Sequence, residues 1–123
     1  MLGFPFHGNK SRGQTARGNH GEDSMFLVRD IMYCKPAQAR PMVKKFLALS
    51  KLGQQMGFGA MRVMTDFSAE RYWTVVSEVE VKSLEEYAEM SRKSTENKEF
   101  QDAMKGYHDL LDHGRREIYM IET

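Results

Sequence analysis

The stretch RYWTVVSEVEVKSLEEYAEMS, residues 71–91, changes periodicity at its midpoint. In its first half Trp73, Val75, Val79 and Val81 share one face of an extended chain, while Thr74, Glu78 and Glu80 share the other, which predicts a strand. In its second half Ser83 stands where a helix needs an N-cap, and Glu86, three residues on, completes a capping box. Leu84, Tyr87, Ala88 and Ser91 then fall on one helical stripe. A strand that feeds directly into a capped helix, each with an apolar face to bury, is half of a layered α+β unit.

Upstream, the short turn FSAE (67–70) joins this strand to AMRVMTD (60–66), a second strand. Before it, Met42, Val43, Phe46, Leu47 and Leu49 recur at helical spacing, with Lys44, Lys45 and Lys51 outward. That helix starts near Pro41, because a proline is tolerated in the first turn and not later, and it ends at Gly53, Gly57 and Gly59. MFLVRDIMYC (25–34) is the first strand, with Phe26, Val28 and Met32 on one face and Leu27, Ile31 and Tyr33 on the other. Downstream, Asn97 caps a further helical piece in which Phe100, Ala103, Met104, Tyr107 and Leu111 form the stripe. Gly114 reads as its stop, and RREIYMIE (115–122) as a last strand. The order is β-α-β-β-α-β, a ferredoxin-like sandwich of one antiparallel sheet with helices on one face. The other face keeps apolar residues from Val28 or Leu27, Met61 or Met64, and Val76. A second copy related by a two-fold axis would cover it, so a homodimer is expected.

Residues 1–24 differ: glycines at 3, 8, 13, 18 and 21 are spaced by polar residues, and the apolar side chains stop after Phe6. The expected organisation is a flexible arm over 1–24, whether native or vector-derived, and one domain over 25–123. The arm lacks the basic start and long apolar stretch of a signal peptide. It holds three of the basic and two of the acidic residues, so the patterned region is electrically neutral. Neutrality argues against nucleic acid and anionic membrane surfaces as partners. A single cysteine, Cys34, excludes an internal disulfide and fits a cytoplasmic protein. The ten methionines suit an adaptable core or pocket.

The KPA turn at 35–37, YWTVVSEVEVKSLEEY at 72–87 and NKEFQDAM at 97–104 resemble the dimeric α/β-barrel superfamily, and within it the NIPSNAP-like proteins. The resemblance spans residues 25–122 and lies in hydrophobic pattern rather than invariant chemistry. It implies two sheets packed face to face, helices outside, and a small-molecule pocket between sheet and helices in each subunit. Members include cofactor-independent monooxygenases, haem-degrading enzymes, lactone isomerases and many proteins of no established activity, so fold does not fix function. The haem-degrading branch uses an Asn on the first strand and a His late on the last helix. Here Asp30 or a neighbour replaces the Asn and Met104 falls near the His, with His108 one turn further, which argues against haem degradation.

Tyr33, Trp73, Tyr87 and Tyr107 are candidates for an aromatic pocket wall around a small aromatic ligand, or else plain core. His108 is the candidate general base or ligand-orienting group, or else a half-exposed helix histidine. The pairs His108/Asp112 and Asp109/His113, four apart, lack a third metal ligand, so neither metal nor cofactor is expected. Arg29, Asp30, Arg62 and Glu78 are charges within apolar strands. Asp30, Arg62 and Glu78 are expected to form a salt-bridge network on the dimer-facing side. Cys34 beside Lys35 has a cation to lower its pKa but no His partner. Arg115 and Arg116 read as solvated charge. GFGA (57–60) is too short for a phosphate loop, and no CxxC, HExxH or GxSxG occurs. The functional expectation is a homodimeric small-molecule-binding protein, with cofactor-free monooxygenation or isomerisation of an aromatic or enolic compound as its enzymatic form. The alternative is a non-enzymatic dimeric module that fills its own core.

Overall fold

A ten-residue strand, β1 (Met25–Cys34), holds an inner place in a four-stranded sheet of order β2-β3-β1-β4, with β2 Met61–Thr65, β3 Thr74–Val81 and β4 Leu111–Ile121. This is a computed structural model that describes residues 25–123, and the expected arm over 1–24 lies outside them. Every neighbouring pair is antiparallel: β1 meets β3 from Phe26↔Val81 to Tyr33↔Thr74, and β4 from Met25↔Ile121 onward. Because side chains alternate, Val28 and Met32 of β1 share a face with Val75, Val79 and Val81 of β3. On that face lie α1 (Ala39–Gln55), α2 (Leu84–Glu96) and the short α3 (Lys98–Met104). Phe46, Met42 and Leu49 of α1 are wholly buried against Met32 and Val75, with Phe100, Met104 and Tyr107 closing the core. A second cluster forms where Tyr87 of α2 meets Val28, Val79 and Val81. The α+β ferredoxin-like sandwich expected from the pattern is the fold.

Local chemistry explains the element starts. The Glu86 amide donates to the Ser83 hydroxyl at 3.0 Å, and the Phe100 amide to the Asn97 side-chain oxygen at 3.0 Å, so both expected caps form. The Glu86 carboxylate reaches one residue further back than in a capping box and accepts from the Lys82 amide at 2.5 Å. α1 begins at Ala39, which leaves Pro41 in the first turn as required.

Two expectations are corrected. The last helical stripe does not run to Leu111. α3 ends at Met104, Gly106 turns the chain in the left-handed region at φ 84°, a single 3-10 turn spans Tyr107–Asp109, and β4 is already paired at Leu111. Pairing with β1, with Cys34↔Leu111 and Tyr33↔His113, outweighs the helical period of 107–113. Gly114 is therefore no helix stop. It lies inside β4, where an added Cβ would come 2.9 Å from the Ile31 carbonyl oxygen, so glycine permits a close backbone approach. The third strand also starts later than Arg71, at Thr74. The Asp66 side chain accepts from the Thr74 amide at 2.9 Å, the Thr74 hydroxyl donates to the Arg71 carbonyl at 2.8 Å, and Trp73 takes φ 63°. The positive φ breaks the alternation, so Trp73 does not share the face of Val75 and stands 43% exposed.

Candidate functional site

The opposite face of the sheet has no helix of the described residues upon it, and its centre is charged. Glu78 is only 7% exposed and accepts from Arg29 Nε at 2.7 Å and from Arg62 at 2.6 Å. Burial alone would push its carboxyl up, but the two guanidinium groups outweigh that and hold it below the usual range. Arg29 also approaches Glu117 at 3.7 Å and lies 5.4 Å from the ring centre of Tyr119. Ile31, Tyr33, Met64 and Val76 surround this network.

Asp30, expected in the same network, is not there. Its register alternates with Arg29 and puts it on the helix side, beside Val28 and Met32. Its partner is Arg116, expected to be solvated. The Arg116 Nε donates to Oδ1 at 2.7 Å and a terminal nitrogen lies 3.4 Å from Oδ2. Both side chains are nearly buried, at 15% and 16% exposure. Burial pushes the Asp30 carboxyl above its ordinary value, and the bond and charge of Arg116 offset only part of this. The same guanidinium lies 5.3 Å from the centre of the Tyr87 ring. Burial raises the Tyr87 phenol to about 12, with Arg116 and the neighbouring Ser91 pulling the other way.

Asp30 and Tyr87 line a cavity of about 50 Å³ between sheet and helices. Ser77, Ser91 and Ser94 add polar groups to its wall, while Phe46, Leu49, Phe58 and the methionines Met61 and Met90 make the rest apolar. Its wall, mostly apolar with a few convergent polar groups, has the chemistry of a small-molecule site, while its volume is several times smaller than such sites ordinarily enclose. On the β4 side Asp30 also borders a second hollow of about 230 Å³, with Tyr107 and Arg116.

The five residues expected to form one aromatic site are not brought together. Only Tyr87 lines the helix–sheet cavity. Tyr33 points to the helix-free face, packed 4.8 Å from the His113 ring and under Arg71 at 4.7 Å. Trp73 borders an open cleft along the 66–73 loop, so its fluorescence does not report on the cavity. Tyr107 is buried core, and the exposed His108 stacks on it at 4.1 Å without lining the cavity. The i, i+4 metal pairs fail because 108–113 is not an α-helix. Asp112 instead meets His113 at 3.2 Å and Arg71 at 3.3 Å, and the described residues contain no group of three candidate ligands. Burial pushes the Cys34 thiol up to about 11, against the cation effect expected from Lys35. The signal for Asp30 was in its parity with Val28 and Met32. Arg116 had no such signal, because its partner lies 86 residues away.

Sheet order, one-sided helices and a hollow between the two layers define a ferredoxin-like α+β protein with a helix–sheet pocket. Solved structures with the NIPSNAP fold are similar to it. A NIPSNAP family protein from Agrobacterium tumefaciens is 14% identical, with a TM-score of 0.69 over 80% of this chain and 86% of that one. An uncharacterised NIPSNAP-like domain protein from Burkholderia xenovorans is 19% identical, with the same TM-score and coverage. A candidate monooxygenase from Fusobacterium nucleatum is 15% identical, with a TM-score of 0.61 over 81% of this chain and 44% of that one. These likenesses establish a shared fold. No protein-family model matches the chain, and no curated protein matches it in sequence. No helix of the described residues is long and apolar enough to cross a membrane.

Proposed function

We propose that the chain is a homodimeric small-molecule-binding protein whose ligand occupies the hollow between sheet and helices. The observation that carries this is Asp30, held by Arg116 from outside the cavity lining, which stands with Tyr87 in the wall of a mostly apolar cavity. A buried ion pair is seldom more stable than hydrophobic packing of the same volume, which favours a binding role for it. Cofactor-free monooxygenation or isomerisation of an aromatic or enolic compound is the enzymatic form of this reading. The fold likeness to the Fusobacterium nucleatum candidate monooxygenase is consistent with it. Dimerisation is supported by the partly exposed Met64 and Val76 on the helix-free face and by Tyr119 at its margin. The buried free thiol of Cys34 suits a cytoplasmic location.

A second reading, a dimeric module with a self-filled core, is favoured by the small volume of the cavity, room for only a few waters. A panel of aromatic and enolic compounds in a thermal-shift assay separates the two. A ligand present at a hundred times its Kd stabilises by about 2.7 kcal/mol, roughly 10 °C for a domain of this size. A rise of that order supports the binding reading, and an unmoved melting temperature across the panel leaves the self-filled module.

A further inference from the structure

We propose that Asp30, anchored by Arg116, is the hydrogen-bond acceptor that selects this cavity's ligands, favouring small, uncharged, largely apolar molecules with a phenolic or enolic hydroxyl. The inference rests on the pocket reading above and deepens it. Asp30 is the one carboxylate among the residues that line the cavity. A carboxylate offers about four lone-pair directions, and Arg116 takes one on each oxygen, which leaves acceptor capacity for a ligand.

Charge narrows the ligand class. Arg116 pairs with Asp30 from outside the cavity lining and neutralises it, so an ammonium ligand would shed its hydration without gaining a net opposite charge, and a carboxylate ligand would meet Asp30 directly. A neutral donor avoids both penalties. A phenol or enol brings one O–H to the free side of the carboxylate and lays its apolar body against Phe46, Leu49 and Met90. The raised proton affinity of Asp30 makes it a stronger acceptor than an exposed carboxylate. The cavity proper is smaller than a ring, so a ring ligand must displace the flexible side chains of Met61 and Met90.

The test is a calorimetric titration of the full chain with phenol, anisole and toluene, with chemical-shift changes at Tyr87 and Ser91 to locate the site. Phenol should bind about ten- to a hundredfold more tightly than anisole, the range of a hydrogen bond to a charged group. Asp30→Asn should lose most of that preference while still binding toluene. Phenol and anisole binding equally in the wild type would overturn the role of Asp30 and leave the pocket reading intact. Binding of none of the three would overturn both. A folded Asp30→Asn protein that keeps the preference would also refute the role, and if that variant does not fold, the wild-type comparison decides alone.

Discussion

Replacing Arg116 by Met removes the charge and the bonds to Asp30 but keeps an apolar side chain against Tyr87. The buried carboxylate then has two options, to stay charged without its partner or to take a proton. The second sets a ceiling on the damage. Protonating a group of ordinary pKa 3.8 at pH 7 costs about 4 kcal/mol, from roughly 1.4 kcal/mol per pH unit. The expected loss at pH 7 is therefore up to about 4 kcal/mol, within the range for breaking a buried pair. The sign follows from linkage. Without Arg116 the folded pKa of Asp30 lies further above its unfolded value, so the folded state binds the extra proton and the penalty shrinks as pH falls. It should decline by roughly 1.4 kcal/mol per unit and nearly vanish near pH 4. Urea denaturation of wild type and Arg116→Met between pH 4 and 7 measures this, with Asp30→Asn/Arg116→Met as the partner variant that lacks the charge altogether. A loss below 1 kcal/mol at pH 7, or one that does not vary with pH, would refute the burial of Asp30 between sheet and helices.

Glu78 has the opposite sign. Its folded pKa is held low, so the stability it contributes is present above pH 4.5 and is lost as pH falls through its folded value. Glu78→Gln should flatten that acid limb in a pH series of melting curves. Gly114→Ala places a Cβ 2.9 Å from the Ile31 carbonyl and should cost about 1–3 kcal/mol in urea denaturation, whereas an unchanged midpoint would show that β1 and β4 are not that close. Val76→Asp puts a charge on the helix-free face, and sedimentation should show wild type at twice the 14.2 kDa chain mass and the variant as a monomer. A wild-type monomer at micromolar concentration would remove the dimer from the proposal. Cys34, buried and with its thiol raised to about 11, should react with a disulfide reagent at pH 8 far more slowly in the folded chain than in urea.

Alternation and capping are local, and the elements they define were legible in the residues themselves. Val28 and Met32 share a face because strand side chains alternate, and α2 and α3 start at Ser83 and Asn97 because each cap closes within three residues. Those signals suffice for the β-α-β-β-α-β order and for helices on one face. Residues 107–113 were not legible, because their spacing suits a helix and only hydrogen bonding to β1, some eighty residues away, makes 111–113 strand. The same distance hid the site. Asp30 was expected on the dimer-facing side although its parity with Val28 and Met32 points to the helix face, and no property of the Arg115–Arg116 pair tells which arginine turns inward until the β1–β4 register sets Asp30 opposite Arg116. The five residues Tyr33, Trp73, Tyr87, Tyr107 and His108 are spread over different parts of the fold for a related reason: side-chain type tells what a residue can contact, strand parity already set Tyr33 apart, and only tertiary packing decides which loop or core the others reach. A positive φ at Trp73 and a left-handed turn at Gly106 sent Trp73, Tyr107 and His108 away from the cavity that Tyr87 lines.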